Sequence, residues 1–430
     1  MSALARYFHF MGKAVAGYDK TPGPITKGLE ELGIQVHYQD RVELLSEPFR
    51  NPKTLVVYTP AVPAAHAQLN HYREGGFTIM KRSQVLGIIT RDTYCLAVAG
   101  THGKTTTSAI LAHLMKQCNM PFTAFLGGVS EDFNSNFVME GSRYSVVEAD
   151  EFDRSFLQLS PDLACITSMD ADHLDIYGNR EELQRSFRDF ASRLKPGGTL
   201  FVREGLPLEG LTYGIGEGTY RIGNINVDGG GYLFDIMGPN GEIRGVRFPK
   251  PGRHNLLNAL VAFAMAEHCG CDPQVLCNAL GSFKGVQRRF SYQIRKEGFA
   301  FIDDYAHHPT EIDAVHQAVR EVHPGEKIRA VFQPHLFSRT RDFVDDFAKS
   351  LSAFDEVLLL DIYPAREEPI PGVDSRWLLE KIENPNKGLI GKEELLKKAK
   401  HWNTGVLLMI GAGDIGLEVP KMKKILSDAD

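Results

Sequence analysis

The sequence is short of cysteine, of long apolar runs and of surplus basic charge, and each shortage closes off a class of protein. Its six cysteines (Cys95, Cys118, Cys165, Cys269, Cys271 and Cys277) lie mostly inside apolar runs and lack C-x-x-C spacing. That argues against a disulfide scaffold or a common zinc module and points to a reducing, cytoplasmic setting. No apolar stretch approaches the ~18 residues of a membrane span, and the opening MSALARYFHF lacks a signal peptide's apolar core and cleavage site. No membrane partner is expected. With 48 Lys+Arg against 54 Asp+Glu, the formal net charge is −6, so no broad attraction to nucleic acid is written into the chain. An anionic ligand has to be held locally. Internal repeats at a fixed period and low-complexity tracts are also missing.

What the chain does have is apolar material for several cores: 430 residues, 43% of them hydrophobic, allow roughly two to four domains. Short β-branched runs (TLVVYTP, YCLAVAG, YSVVEAD, LACITSM, AFIDDY, IRAVFQP, VLLLDIY, GVLLMIGAG) alternate with helical stretches, which predicts an α/β fold with parallel sheets. Turn-rich text near 91–93 and again near 283–287 divides the chain into three domains, residues 1–92, 93–285 and 286–430. Within the middle one, the glycine-rich stretch 212–251 predicts an antiparallel insertion of hairpins. The start predicts a helix over Ser2 to Phe10 and a strand over Ala14 to Tyr18, with no strand and glycine turn ahead of them.

The sharpest motif is GTHGKTTT, residues 100–107, directly after the strand YCLAVA and before the helical SAILAHLMKQ. Strand, glycine turn and helix in that order surround a polyphosphate with backbone N–H groups from Gly100, Thr101, His102, Gly103 and Thr106; Lys104 reaches the β/γ oxygens and Thr105 ligates Mg²⁺. An ATP site follows, although two residues rather than four separate the glycines. Next come Glu148, Asp150 and Glu151, at the C-terminal end of a strand, where hard carboxylate oxygens suit a cation held beside a triphosphate. Acids after a strand are more often a solvated loop; their placement after the nucleotide loop reverses that balance. Asp170, Asp172, His173 and Asp175 repeat the arrangement, with His173 a metal ligand or an oriented base.

Further on, Asn255 and Asn258 share one face of a helix and fit either an adenine or phosphate contact or an N-cap. Arg288 and Arg289 fit an ATP contact or a solvated basic pair. Tyr305 and His307 lie on the loop above a strand end, before a helix entered at Pro309 and running to about Val322. Arg339 has the reach to bind a carboxylate bidentately.

Together GTHGKTTT, VVEADEFDRSFL, MDADHLDIYG, GRHNLLNAL, RRF, DDYAHHPTE, FQPHLFSRTRDF, YPAREEP and GAGDI, in one order across residues 100–415, resemble the Mur ligases, the ATP-dependent amide-forming family of peptidoglycan precursor synthesis. The resemblance implies Rossmann-like N-terminal and C-terminal domains around a central P-loop ATPase domain. It also implies ATP and Mg²⁺ as cofactors and, through MDADHLDIY and YPAREEP in particular, UDP-N-acetylmuramate and L-alanine as substrates. In the implied mechanism the muramyl carboxylate attacks the γ-phosphorus, and an amine then displaces phosphate from the acyl phosphate. By motif position, Lys104 and Thr105 hold phosphates and metal, Glu148 and His173 the second metal, Asn255, Asn258 and Arg288 or Arg289 the ATP; Tyr305, His307 and Arg339 face the amino acid or acyl phosphate. A monomer or homodimer is expected.

Two departures accompany the resemblance. Family members ordinarily begin with a strand and glycine-rich turn ahead of the first methionine here, so the first domain is expected to be N-terminally incomplete and to bind the UDP-sugar poorly. Leu336 stands where some relatives carry Arg, which leaves Arg339 as the better carboxylate contact. A tripeptide-attaching ligase of the same family, a P-loop ATPase driving motion or partner binding, and a non-catalytic nucleotide-binding module stay open as alternatives.

Overall fold

The structure, a computed structural model, describes residues 1–170, 177–365 and 367–427. Its contacts gather into two compact units, Met1–Tyr220 with Val261–Leu276, and Arg221–Leu260 with Cys277–Asp430.

The first unit is organised by strand Tyr94–Ala99, whose residues from Cys95 onward are all buried. Such a strand needs cover on both faces and parallel neighbours on both sides. It pairs in parallel with Tyr144–Glu148 on one side and Leu163–Ile166 on the other. Outward from Tyr144–Glu148 lie Phe122–Ser130, parallel, and Ser135–Met139, antiparallel; outward from Leu163–Ile166 lie Thr199–Arg203 and Leu211–Ile215, both parallel. Alternate residues Cys95, Ala97, Ala99, Val147, Ala164 and Ile166 share one core with Leu183, Phe187 and Phe190 of helix Arg180–Ala191. Those helical residues recur at the four-and-three spacing of one helix face, and Asn179 caps the helix by accepting the Glu182 N–H at 2.9 Å. Phe190 stacks on Phe156 with centroids 4.9 Å apart.

The opening of this unit contains helix Ser2–Phe10 and two separate parallel strand pairs, Ala16–Tyr18 with Gln35–His37 and Leu55–Tyr58 with Thr78–Lys81. The first strand starts two residues later than the sequence suggested: Gly12 turns the chain at φ 71° and the path from Lys13 to Val15 is irregular. Strand Leu211–Ile215 also departs from the hairpin expectation for 212–251. It runs parallel to Thr199–Arg203 because Leu206 and Leu208, lodged against the core, anchor a return segment.

In the second unit Tyr220–Asp228, Gly231–Gly238 and Gly241–Phe248 form the expected antiparallel hairpins. Gly229 and Gly230, both at positive φ, make the first tight turn, a conformation L-residues with a Cβ avoid. Helix Arg253–His268 follows, its residues to Leu260 belonging to this unit and those from Val261 to the first. The six-stranded sheet has the order Ser291–Lys296, Phe299–Asp304, Gly405–Ile410, Ile328–Phe332, Glu356–Leu359, Lys387–Leu389, all parallel except the first. Ala300, Ile302, Val406 and Leu408 bury one face while Phe299, Phe301, Leu407 and Met409 bury the other, the two-faced core of a doubly wound α/β sheet. Phe299–Asp304 and Ile328–Phe332 are consecutive in the chain yet separated by Gly405–Ile410, which opens a crevice at the C-terminal edge where ligands of such sheets bind. Among the described residues, no helix is long and apolar enough to cross a membrane.

Candidate active site

In the first unit, Gly100 leaves its strand at φ 134° and Gly103 enters helix Lys104–Gln117 at φ 83°. A Cβ on Gly100 would lie 2.0 Å from Thr167 Oγ1, so glycine is required by contact as well as by backbone angle. Both flanking strands hold the loop. On the Leu163–Ile166 side, Ser168 Oγ accepts the His102 N–H at 2.8 Å and shares a hydrogen bond with Thr101 Oγ1 at 2.9 Å, while the Asp170 N–H donates to Thr101 Oγ1 at 3.1 Å. His102 Nε2 stands 3.7 Å from Asp170 Oδ2. Thr106 is buried in the first helical turn.

On the Tyr144–Glu148 side stand the acids. Val98 is level with Glu148 in the ladder, which sets that carboxylate at the mouth of the loop. Thr105 Oγ1 donates to Glu148 Oε1 at 3.1 Å, and the Gly127 N–H donates to Oε2 at 2.9 Å. A Cβ on Gly127 would fall 2.2 Å from Oε2, so this glycine makes room for the carboxylate. A hydroxyl beside a carboxylate is an all-oxygen pair suited to a hard divalent cation.

Lys104 Nζ donates to Gly100 O at 2.7 Å and lies 2.9 and 2.7 Å from the two oxygens of Glu151, a residue with no exposed surface. Burial alone favours a neutral amine, but the carboxylates of Glu151, Asp150 and Glu148 outweigh it and raise the lysine above its ordinary value. Lys104 is therefore a fixed cation. Glu151 read in the sequence as one acid among three; its hidden signal was its distance from the strand end, which carries it past the mouth and under the loop. Tyr177, whose hydroxyl donates to Glu151 O at 2.5 Å, holds that turn from the other side.

The second unit brings together strand-end loops. The Asp304 carboxylate accepts the N–H groups of Phe290 and Ala306, each at 2.7 Å, tying the Arg288–Arg289 turn to the loop that carries Tyr305 and His307. Arg288 and Arg289 lie over the Tyr305 ring at 5.1 and 5.0 Å. Arg288 also donates to Gly411 O at 2.5 Å, and Arg289 stands 3.5 Å from Glu311. Burial pushes Asp303 and Asp304 up to about 6, against the downward pull of Arg288 on the first and Arg289 on the second. Glu311 receives the His307 N–H at 2.9 Å and lies 3.2 Å from its Nδ1, and Tyr305 O lies 2.9 Å from the same nitrogen, so the imidazole is oriented by its helix entry and its own loop together.

His307 packs edge-on against Tyr305 at 5.3 Å and His335 at 5.9 Å, and His335 stacks on Tyr363 at 5.7 Å. Arg339, buried at 6% exposure, reaches His335 Nδ1 at 3.5 Å. Gln333 bridges the crevice, donating to Asp414 Oδ1 and accepting the Ile415 N–H, each at 2.8 Å. His335 and Tyr363 sit inside stretches that the sequence singled out, but only the parallel bridge between them shows that they act as one wall.

Asn255 and Asn258 are buried side by side in helix Arg253–His268; Asn255 donates to Pro251 O at 2.7 Å and Asn258 to Asn255 Oδ1 at 3.4 Å. Asn255 therefore lies within the first helical turn and donates to a preceding carbonyl, whereas an N-cap stands outside the helix and accepts a backbone N–H. His173, expected to be a metal ligand, lies outside the described residues, as does its neighbour Asp172.

Three family profiles match the chain: the Mur ligase middle domain over residues 98–266, the Mur ligase glutamate ligase domain over 288–417, and the Mur ligase family catalytic domain over 1–94. A protein of Flavobacterium psychrophilum named UDP-N-acetylmuramate--L-alanine ligase is 56% identical, covering 100% of this chain and 96% of that protein. The crystal structure of UDP-N-acetylmuramate-alanine ligase MurC from Thermotoga maritima superposes with a TM-score of 0.85 at 27% identity, covering 100% of this chain and 97% of the other. A ligase from Neisseria meningitides that is named for UDP-N-acetylmuramate and a tripeptide, L-alanyl-gamma-D-glutamyl-meso-diaminopimelate, superposes at 0.60 with 27% identity, over 67% of this chain and 96% of that one. With three domain matches in chain order and a relative of this identity along its whole length, the chain belongs to the Mur ligase family.

Proposed function

We propose that this chain joins L-alanine to the carboxylate of UDP-N-acetylmuramate at the expense of ATP, through an acyl phosphate, as a cytoplasmic step of peptidoglycan precursor synthesis that involves neither nucleic acid nor membrane. The observation that carries the reading is the fixed cation Lys104 at the start of a helix, beside the Thr105–Glu148 oxygen pair. A carboxylate is inert to amines until one oxygen becomes a good leaving group, and phosphoryl transfer from ATP supplies that. The chain's own residues do the rest. Amides of Gly100 to Thr106 surround the phosphates, and Lys104 neutralises charge on the transferring group without moving, because Glu151 already holds it. Thr105 and Glu148 are the residues that would hold Mg²⁺, which screens the phosphate oxygens when bound, and His173 is assigned to a second metal on motif position alone.

Asn255, Asn258, Arg288 and Arg289 are assigned to ATP. In the second unit Arg339 binds the carboxylate of the amino acid, Tyr305 flanks it, and His307, oriented by Glu311 and the Tyr305 carbonyl, accepts a proton from the attacking amine. The test is phosphate release with ATP, Mg²⁺, UDP-N-acetylmuramate and L-alanine, leaving out each in turn. Release that needs both sugar and alanine is the expected result. Release indifferent to both would mean a generic ATPase, and acceptance of a tripeptide but not L-alanine would make it the peptide-attaching relative.

A further inference from the structure

Segments 333–338 and 360–365 each follow a strand of the six-stranded sheet, and with Glu367 they are joined more closely than two surface loops need to be. The Tyr363 N–H donates to Pro334 O at 2.8 Å and the Leu336 N–H to Tyr363 O at 2.9 Å, a short parallel bridge that seats His335 against the Tyr363 ring. Beyond the bridge, Glu367 turns back across the gap. Its Oε2 accepts the Ser338 N–H at 2.9 Å and its Oε1 accepts the Ser338 hydroxyl, so one carboxylate takes both donors of one residue on the opposite loop. Ser338 immediately precedes Arg339 in the short helix Phe337–Asp342. The clasp therefore holds the base of the wall made by His335, Tyr363 and Arg339.

We propose that Glu367 is a positioning residue that sets acceptor size: by clasping Ser338 it keeps the His335–Tyr363–Arg339 wall closed around a single short amino acid. The inference rests on the proposed ligation and on placing the amine beside His307 and Arg339. Its physical basis is that a longer acceptor must part the two loops, and parting them breaks two charge-assisted hydrogen bonds to Glu367 as well as the two backbone bonds. A pocket rejects additional methylenes only as firmly as its wall refuses to move. Neither backbone bond depends on the carboxylate, so removing Glu367 loosens the wall without dismantling the sheet.

The test compares wild type, Glu367→Ala, Glu367→Gln and Ser338→Ala in phosphate release with L-alanine, L-valine and L-leucine, at saturating ATP and UDP-sugar. The expected result is a fall of about tenfold or more in the alanine-over-valine ratio of kcat/KM for Glu367→Ala. Smaller falls are expected for Ser338→Ala, which keeps the N–H bond, and for Glu367→Gln, which keeps an acceptor; the KM for ATP stays at its wild-type value in all three. An equal loss for every amino acid, or an unchanged ratio, would overturn the inference and reduce Glu367 to a structural residue. Should Glu367→Ala fail to fold, the two milder variants carry the same ratio test. If wild type itself shows no alanine-dependent release, the ligase reading fails and takes this inference with it; if wild type prefers alanine and the variants keep that preference, the inference alone fails.

Discussion

The nucleotide loop of the first unit and the strand-end cluster of the second solve the same problem, holding charged groups ready for an anionic substrate, by opposite means. In the first, successive residues from Gly100 to Thr106 supply the site and the backbone sets its shape; neighbouring strands add only the acids and hydroxyls that brace it. In the second, Arg288, Tyr305, His307, His335, Arg339 and Tyr363 come from four chain segments, and side chains brace side chains. The lesson is about tolerance. A site built from backbone loses function when one side chain is removed but keeps its geometry, whereas a site built from mutually braced side chains changes shape, and with it selectivity.

Replacing Lys104 presses hardest on that contrast. Lys104→Met should cut alanine-dependent phosphate release by roughly 10²–10³-fold or more, the scale of a lost charge-stabilising donor. It also strands the buried Glu151 carboxylate, so denaturant unfolding should show a loss of about 3–5 kcal/mol. Adding Glu151→Gln should restore most of the stability and none of the activity; recovery of activity would mean that Lys104 serves only to satisfy Glu151.

In the second unit, Arg339→Lys keeps the charge but loses the planar fork. The expected effect is an L-alanine KM raised on the order of tenfold with the KM for ATP unmoved, the scale of one charged hydrogen bond. Equal movement of both constants would show that the two regions are not separable.

The smallest effect expected concerns pH. Asp303 is raised by burial from 3.8 to about 6, so between those values the folded chain binds more protons than the unfolded one. Its contribution to stability is thus fully present below the lower value and is lost as pH rises through the upper. Asp303→Asn, which does not titrate, should lessen but not abolish the change in thermal midpoint between about pH 4 and pH 7, because Asp304 is raised in the same way. A wild-type slope in the variant would assign the dependence to other groups.

The same contrast explains what could be read from sequence. The strand Tyr94–Ala99, the glycine turn and the helix after it are adjacent in the chain and dictated by local chemistry, so the loop and its acid Glu148 were legible at once. Helix Pro309–Val322 was equally legible, because proline suits a first helical turn and nothing distant competes. The role of Glu151 was not, since only its distance from the strand end separates this fully buried acid from the half-buried Glu148 three residues earlier. The pairing of His335 with Tyr363 depends on Ile328–Phe332 and Glu356–Leu359 lying side by side in parallel, a neighbourhood that neither segment states on its own. Strand Leu211–Ile215 escaped for a related reason: its direction is set by Leu206 and Leu208 against a distant core rather than by its own glycine-rich surroundings.

In the proposed ligation the Lys104 loop activates the sugar carboxylate and the Arg339 cluster admits the amine. Trapping with hydroxylamine, with ATP, Mg²⁺ and UDP-N-acetylmuramate present and L-alanine left out, tests it most directly, because an acyl phosphate yields a hydroxamate without needing the amino acid. Arg339→Lys should give wild-type hydroxamate and Lys104→Met none. Loss of the hydroxamate in both variants would contradict this, since the two regions would then serve a single step.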